Sequence, residues 1–262
     1  MVVFIREYPV GMAGTKRVQH FLDFLVSRNI ELFVIGFRSK LSQPSEKGMF
    51  DSVKYQIIGK GLDMTFQHFY RILKYYFKGF CLIASKRKRH YVNVVYNSGG
   101  LSIENLPFII WAKILGYKLI LAIEEDYSHF RDDIKKISRF KFWTVRKLDF
   151  INCRIADAII VISRYLFNKY NACGTENVIL IPVTANPNFA AEKKGFNQPL
   201  KIVYAGTFAD KDGVSDIIEG FSRFNDLYKN AELILTGNSE QQIIYVDKYK
   251  NRKDIVFTGY IP

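Results

Sequence analysis

Lys211 is the residue of this sequence whose position most directly suggests chemistry. It lies in the turn "AGTFADKDG" (205–213), between Gly206 and a predicted helix that begins at residue 214. A cation close to a helix N-terminus opposes the helix dipole, and a bound anion would offset both positive charges. The turn therefore predicts an anion-binding site, with an exposed surface lysine as the alternative.

A second glycine turn, "GMAGTKR" (11–17), follows the first predicted strand. Gly11 and Gly14 permit close approach of the backbone, Thr15 can cap the following helix, and two basic residues add charge at its N-terminal end. In open α/β sheets, ligands bind beside the carboxyl ends of the strands, which is where both turns are expected. A tight turn with solvated bases is the alternative.

Short apolar runs alternate with helical patterns along the chain. The strands predicted before residue 184 cover residues 2–5, 31–37, 91–97, 117–123, 157–163 and 178–182. The helical pattern is clearest in Val18, Phe21, Leu22 and Leu25, spaced at i, i+3, i+4 and i+7. Nearly all-apolar strands separated by helices predict a parallel sheet that is covered on both faces.

The segment "TANPNFAAEKKGFNQP" (184–199) predicts a linker, since it is rich in Pro, Asn, Gly and Lys and shows no periodicity. After it the pattern restarts with strands at 201–206, 232–237 and 255–261 and helices at 214–228 and near 239–249. We therefore predict an α/β fold of two Rossmann-like units, a first unit at 1–183 and a second at 200–262.

The net excess of positive charge lies in one part of the chain. Residues 200–262 contain 8 Lys+Arg and 9 Asp+Glu, so the net charge of +13 leaves +14 for residues 1–199. Bases concentrate in "SKRKRH" (85–90) and in "RDDIKKISRFKFWTVRK" (131–147), where aromatic residues are interleaved. This pattern favours an anionic membrane surface as partner, and no nucleic-acid motif accompanies it. A solvated basic face is the alternative.

Three further features limit the class of protein. The three cysteines form no C-x-x-C motif, which argues for a reducing compartment and against a disulfide or zinc framework. The N-terminus is interrupted too early by charge to be a signal peptide. The most apolar stretch, residues 106–123, is broken by two lysines and a glycine, and predicts a buried helix, a turn and a strand rather than a membrane span. We expect a cytoplasmic protein, and the basic segments favour a peripheral location at the inner face of the membrane.

The order "KIVYAGTFADKDGVSDIIEGFSRF", "NAELILTGN" and "DIVFTGYIP" resembles the start of the donor-binding domain of GT-B glycosyltransferases, most of all retaining family 4. Upstream, "ADAIIVISRYLFNKY" (156–170) and "VILIPV" (178–183) resemble that family's A-D-x-I-x-x-x-S and I-P segments. The turn at 11–17 resembles its N-terminal glycine loop. Together the matches span most of the chain.

The resemblance implies that a sugar is transferred, with retention, from a nucleotide-diphosphate sugar, without a cofactor or a protein-bound metal. Lys211 would bind the donor diphosphate, and Thr207 occupies a position where many members carry an arginine. The implied donor-binding residues are Gly11, Gly14, Gly206, Thr207, Lys211 and Gly237. The implied acceptor is a glycan or a lipid-linked molecule, as in polysaccharide biosynthesis.

Glu125 is the candidate catalytic residue. It lies in "AIEEDY", after the strand 117–123, where the family often places a histidine or an acidic residue near the acceptor. Glu124 is the alternative, since the sequence does not fix which of the two faces the cleft. The alternative for Glu124, Glu125 and His129 is that they are polar residues at a strand end without a catalytic role.

The family's E-x7-E motif is matched literally by Glu232 and Glu240, but Glu232 opens an apolar strand and the match is a chance one. The family's own motif follows the V-x-F-x-G strand, so we expect it after residue 262. The sequence thus predicts a truncated donor domain, an exposed sheet edge and little transfer by this chain alone.

Two other classes stay open. One is a partner-dependent or inactive glycosyltransferase-like subunit. The other is a nucleotide-binding oxidoreductase, because "GFRSK" (36–40) could hold a 2′-phosphate, although the sequence has no G-x-G-x-x-G.

Overall fold

The computed structural model describes residues 1–11, 13–38, 47–59, 69–126, 136–183, 199–206, 208, 212–237, 240–259 and 261. The chain divides into two compact units, Met1–Ala185 and Asn186–Pro262. Each unit has its own sheet.

An eight-stranded sheet organises the first unit. Its strands are β1 Val2–Glu7, β2 Phe33–Arg38, β3 Lys47–Phe50, β4 Val53–Ile57, β5 Val94–Ser98, β6 Lys118–Ile123, β7 Ala158–Val161 and β8 Val178–Leu180. Their spatial order is β3-β4-β2-β1-β5-β6-β7-β8, and every neighbouring pair is parallel except β3 with β4. The chain order reverses between β1 and β5, which is the switch point beside which ligands bind in such sheets.

Both faces of this sheet are buried, as the apolar strands predicted. The described helices of the unit are α1 Ala13–Ser27, α2 Phe69–Lys86, α3 Leu106–Ile114, α4 Lys136–Ile155 and α5 Arg164–Ala172. Along β1, Val2 and Phe4 belong to one buried apolar cluster and Val3 to the other, in keeping with the alternation of side chains along a strand. Leu22 of α1 packs on the second face and Phe108 of α3 on the first. The predicted α/β fold is confirmed.

The most apolar stretch of the chain forms α3, a turn and β6, as predicted. Gly116 in the turn has a φ of +79°, a value that favours glycine. In the part of the chain that the structure describes, no helix combines the length and apolarity needed to cross a bilayer.

Asp157 ties three elements together at the amino end of β7. Its carboxylate accepts hydrogen bonds from Lys113 Nζ at 2.8 Å, Lys118 Nζ at 3.0 Å and the Leu119 amide at 2.8 Å. Burial alone would raise the pKa of Asp157, but these donors outweigh it and lower the pKa to about 2.

The second unit contains a parallel three-stranded sheet in the order β11-β10-β9. Its elements are β9 Leu200–Ala205, α6 Val214–Tyr228, β10 Ala231–Thr236, α7 Glu240–Tyr249 and β11 Ile255–Gly259. Ile218 and Phe221 of α6 pack with Leu233 and Leu235 of β10 in its core. Apolar side chains of β9 remain open, with Val203 62% exposed.

Asp254 fastens the amino end of β11. Its carboxylate accepts hydrogen bonds from Arg252 Nε at 2.9 Å and Nη2 at 2.7 Å, and from Asn225 Nδ2 at 2.7 Å. The Arg252 guanidinium, followed by the Asn225 amide, lowers the pKa of Asp254 to about 2.

Candidate functional site

The carboxyl ends of β5 and β6 enclose a cavity of about 160 Å³ in the first unit. Its lining residues are Ser98, Gly99, Gly100, Leu101, Ile123, Glu124, Glu125, Asp149 and Asn152. The cavity therefore lies at the edge of the sheet where the switch point predicts ligand binding.

The wall after β5 is held in place by buried amides. Asn97, 1% exposed, donates from Nδ2 to the Gly99 carbonyl at 2.7 Å and to the Gly100 carbonyl at 3.2 Å. Asn152 Oδ1 accepts from the Leu101 amide at 3.1 Å. A Cβ at Gly100 would lie 3.1 Å from Asn152 Nδ2. These hydrogen bonds thus hold the backbone of residues 99–101 in position along the cavity.

Glu124 connects the cavity with the first glycine turn. Arg17 Nη1 donates to Glu124 Oε1 at 3.1 Å, and Arg17 Nη2 donates to the Ile181 carbonyl at 3.1 Å. A Cβ at Gly14 would lie 3.3 Å from Glu124 Oε2. This glycine turn and the strand end after β6 are therefore neighbours, and Arg17 is a cation that joins them.

Thr15 does not cap α1, contrary to the sequence prediction. The helix begins at Ala13, so Thr15 lies inside its first turn, and its hydroxyl donates to the Glu7 carbonyl at 3.1 Å. A Cβ at Gly11 would lie 2.1 Å from Thr15 Oγ1, so this close approach requires glycine. Gly11 thus packs the loop against the helix.

Both candidate catalytic carboxylates line the cavity. Glu124 is half-buried and paired with Arg17, whereas Glu125 is exposed. A carboxylate at this edge can accept a hydrogen bond from a hydroxyl and can take its proton. His129, which the sequence placed beside them, lies outside the described residues.

A charged network that the sequence did not reveal supports the far wall of the cavity. Asp149 of α4 accepts from Lys169 Nζ at 2.6 Å, from Asn152 Nδ2 at 3.0 Å and from the Tyr170 hydroxyl. Lys169 also donates to Asp126 Oδ1 at 2.9 Å. Burial lowers the pKa of Lys169, but its hydrogen bonds with the two aspartates outweigh burial and raise that pKa. Burial, followed by the hydrogen bond with Asp149, raises the pKa of Tyr170.

One weak signal for this network is visible in the sequence. Asp149 and Asn152 are polar residues three apart on α4, beside Leu148 and Cys153, which pack on the core. Polar side chains next to a buried stripe indicate an internal hydrogen-bonding group. Their partners on α5 lie about twenty residues further on, so spacing alone could not identify them.

Each strand of the second unit ends in glycine at the same edge of the sheet. Gly206 follows β9, Gly237 follows β10 and Gly259 ends β11. The Gly206 amide donates to the Thr236 carbonyl at 3.1 Å, and the Gly237 amide donates to the Gly259 carbonyl at 2.9 Å. Gly237 has a φ of +144°, and a Cβ there would lie 1.8 Å from the Gly206 carbonyl oxygen. A Cβ at Gly206 would lie 2.2 Å from the Tyr204 hydroxyl oxygen, so glycine at these two positions allows the turns to pack closely, whereas a Cβ at Gly259 would meet no heavy atom within 4 Å.

Tyr204 shapes the turn between β9 and α6. Its hydroxyl donates to Asp212 Oδ2 at 3.0 Å and accepts from the Phe208 amide at 3.2 Å. Phe208 is 1% exposed with a φ of +57°, so its burial holds a backbone conformation that favours glycine. Burial is the largest cause that raises the pKa of Tyr204, with Asp212 adding to it. Thr207 and Lys211 lie outside the described residues.

The N-terminus of α6 already carries negative charge. Asp216 lies in its first turn, and the Asp216 amide donates to the Gly213 carbonyl at 3.0 Å. Gly213, with a φ of +61°, precedes the helix. The turn therefore leaves the amides before residue 216 as candidate donors to an anion. Glu232, in β10, is 3.9 Å from Lys201 Nζ and near the opposite end of its strand from Gly237.

The basic run 85–90 lies at the opposite end of the first unit's sheet from the cavity. It spans the end of α2 and the loop before β5, at the amino edge of the first unit's sheet. Lys88 is paired with Glu31, and Lys86 Nζ lies 4.0 Å from the Phe33 ring centroid. Tyr91, next in sequence, is 73% exposed.

Among the described residues, no three His, Cys, Asp or Glu side chains are grouped in a way that could hold a metal ion.

No protein-family model matches the chain. A comparison with curated proteins found no match either.

Solved structures share its fold. Sucrose-phosphate synthase from Thermosynechococcus elongatus is 12% identical, with a TM-score of 0.66 over 99% of this chain and 70% of that chain. WaaG, described as a glycosyltransferase involved in lipopolysaccharide biosynthesis, is 12% identical, with a TM-score of 0.64. The match covers 100% of this chain and 70% of that chain. UDP-N-acetylglucosamine 2-epimerase from Rickettsia bellii is 12% identical, with a TM-score of 0.56. The match covers 100% of this chain and 68% of that chain.

These similarities define the class of fold. The chain has a GT-B fold of Rossmann-like units, as the sequence resemblance predicted. An epimerase shares this fold with two enzymes of synthesis, so the fold by itself does not specify the reaction.

Proposed function

We propose that this protein is a glycosyltransferase that takes a sugar from a nucleotide-diphosphate donor. The observation that carries the proposal is the edge of the second unit's sheet, where three parallel strands end in Gly206, Gly237 and Gly259. Space beside Gly259, where a Cβ would meet no heavy atom within 4 Å, lets a diphosphate approach the backbone, and the N-terminus of α6 adds amide donors. The GT-B fold supports the same assignment.

Lys211 supplies the missing charge in this proposal. Asp210 and Asp212 flank it in sequence and Asp216 follows in the first turn of α6, so the turn is acidic and a diphosphate needs a cation there. A lysine ammonium can form charge-assisted hydrogen bonds with phosphate oxygens. Gly206, Thr207, Lys211 and Gly237 stay the proposed donor-binding residues of this unit, and Gly11 and Gly14 those of the first.

The cavity of the first unit is the proposed acceptor site. Glu124, Glu125 and Asp149 offer hydrogen-bond acceptors, which suit the hydroxyl groups of a glycan or of a lipid-linked sugar. Glu125 would orient the acceptor hydroxyl. As the acceptor oxygen bonds to the anomeric carbon, its proton passes to the Glu125 carboxylate, the bond from that carbon to the diphosphate breaks and the diphosphate keeps the electron pair. We propose retention of configuration, no bound cofactor and, from the basic run 85–90, association with an anionic membrane surface at the cytoplasmic face.

Titration of a nucleoside diphosphate into the wild-type chain and into Lys211→Ala tests the donor site. A hydrogen bond to a charged group contributes roughly 1.5–3 kcal/mol, so affinity should fall by about 10- to 150-fold. Lys253→Ala is the matched control, since Lys253 is exposed at the opposite end of β11. Equal affinity of all three proteins would remove Lys211 from the site, and no binding by the wild type would remove the donor site itself.

The epimerase neighbour supplies a second candidate reaction, inversion of a centre on the sugar of a sugar nucleotide. Both reactions need the donor turn, and only transfer needs an acceptor. Incubation with a sugar nucleotide alone and then with a glycan acceptor distinguishes them. A changed sugar that is still attached to its nucleotide, formed without acceptor, would favour the epimerase.

A further inference from the structure

Two of the three cysteines lie at neighbouring helix ends in the first unit. Cys153 is half-buried near the end of α4, and Cys173 is exposed just after α5. The Cys173 thiol is near enough to Cys153 to be among the causes that raise the pKa of the Cys153 thiol. The Thr175 hydroxyl donates to the Cys153 carbonyl at 3.4 Å, so the segment after α5 folds over the end of α4.

Helix register explains this contact. Asp149 of α4 meets Lys169 of α5 at 2.6 Å. Cys153 follows Asp149 by four residues, and Cys173 follows Lys169 by four residues. Residues four apart share one face of a helix, so one turn along both helices leads from the ion pair to the thiol pair. The two contacts form successive links between parallel helices.

We propose that Cys153 and Cys173 form a reversible intramolecular disulfide in response to thiol oxidants. Cys173 is exposed, so a low-molecular-weight disulfide such as oxidised glutathione reaches it first. The Cys173 thiolate attacks one glutathione sulfur, which forms a mixed disulfide and releases one glutathione thiolate. Cys153, after losing its proton to solvent, attacks the Cys173 sulfur, forms the internal bond and releases the second glutathione thiolate. Two cysteines are oxidised and one glutathione disulfide is reduced.

The second step limits the rate. Burial, with the nearby Cys173 thiol adding to it, raises the pKa of the Cys153 thiol to about 11. Only the thiolate attacks, so below that pKa the closing rate should increase about tenfold for each pH unit.

The bond would fix the wall of the candidate cavity. It would join α4, which carries Asp149 and Asn152, to α5, which carries Lys169. Closing the loop from 153 to 173 restricts the unfolded chain, and we expect the Tm of this unit to rise by roughly 6–12 °C. This inference does not depend on the proposed transferase activity.

A peptide map of the full chain tests the proposal. Wild type is incubated with oxidised glutathione at about pH 8.5, where Cys153 has a larger thiolate fraction. Free thiols are then blocked with N-ethylmaleimide, and the protein is digested without reduction. We expect a peptide pair joined through Cys153 and Cys173 in wild type and in the control Cys81→Ser. Cys153→Ser should instead keep glutathione on Cys173. Wild type with glutathione on Cys173 and a blocked Cys153 would overturn the proposal.

Thermal unfolding of the same wild-type samples gives an independent measurement. The oxidised protein should melt at the higher temperature, and dithiothreitol should return the Tm to its starting value. An oxidised sample with an unchanged Tm would contradict the inferred link between the helices.

Discussion

Replacing Gly237 with alanine should destabilise the second unit more than any other glycine-to-alanine change that the structure describes there. The backbone at Gly237 has a φ of +144°, which costs a non-glycine residue about 1–3 kcal/mol. The new Cβ would lie 1.8 Å from the Gly206 carbonyl oxygen and 3.2 Å from the Phe208 ring, so the backbone must move apart. That movement weakens the two strand-end hydrogen bonds, at about 1 kcal/mol each. We expect a loss of roughly 3–5 kcal/mol.

Gly220→Ala is a matched control with the opposite expected sign. Gly220 is exposed inside α6, and a Cβ there would meet no heavy atom within 4 Å. Alanine loses less conformational freedom than glycine when a helix forms, so the variant should be more stable by about 0.5–1 kcal/mol.

Urea denaturation can separate the two units. Both tryptophans, Trp111 and Trp143, lie in the first unit, so tryptophan fluorescence follows that unit only, whereas circular dichroism follows both. Gly237→Ala should move part of the dichroism transition to lower urea and should abolish nucleoside diphosphate binding. A Gly237→Ala protein with wild-type stability and wild-type affinity would refute the assignment of this edge as a donor site.

Three further predictions concern the catalytic carboxylate, the basic surface and pH. Glu125→Gln should lower the rate of sugar transfer by about 100-fold or more while nucleotide affinity is unchanged; if only Glu124→Gln does so, the roles are reversed. The chain should bind anionic liposomes through the basic run 85–90, and neutral liposomes hardly at all. Binding should weaken as salt rises, because charges are screened within about 8 Å at physiological ionic strength. Salt-sensitive RNA binding without liposome binding would favour a nucleic-acid partner. The depressed pKa values of Asp157 and Asp254, about 2 in the folded state, mean that each contributes stability above its unfolded pKa. About 1 kcal/mol for each should be lost between about pH 4 and pH 2, and an Asp157→Asn chain with an unchanged acid-unfolding curve would contradict this.

The fold could be predicted because its signals are local. Strands such as β6 are continuous apolar runs bounded by breakers, and the helix at 214–228 forms over the residues that its stripe predicted. The antiparallel pair β3 and β4 was missed. In the sequence of β4 the apolar residues Val53, Tyr55 and Ile57 alternate with polar ones, and all three are buried in the structure. The turn before β4 has positive φ at Asp51 and Ser52 rather than at glycine.

The site was predictable only where it follows a strand end. Glu124 and Glu125 could be named because they come directly after β6, but the strand period could not choose between them, and both line the cavity. Asp149 and Asn152 face the same cavity from a helix. Which helix face meets which loop depends on tertiary packing, and one sequence contains no direct record of that distance.

The position of β1 in the middle of its sheet also has a consequence for synthesis. It pairs with β2 on one side and β5 on the other, with Val2 opposite Val95. At translation rates of about 5–20 residues per second, β5 leaves the ribosome about 4–17 s after β1. During that interval one edge of a strand that begins with four buried apolar residues has no native partner, so that edge is open to non-native pairing until β5 has been made.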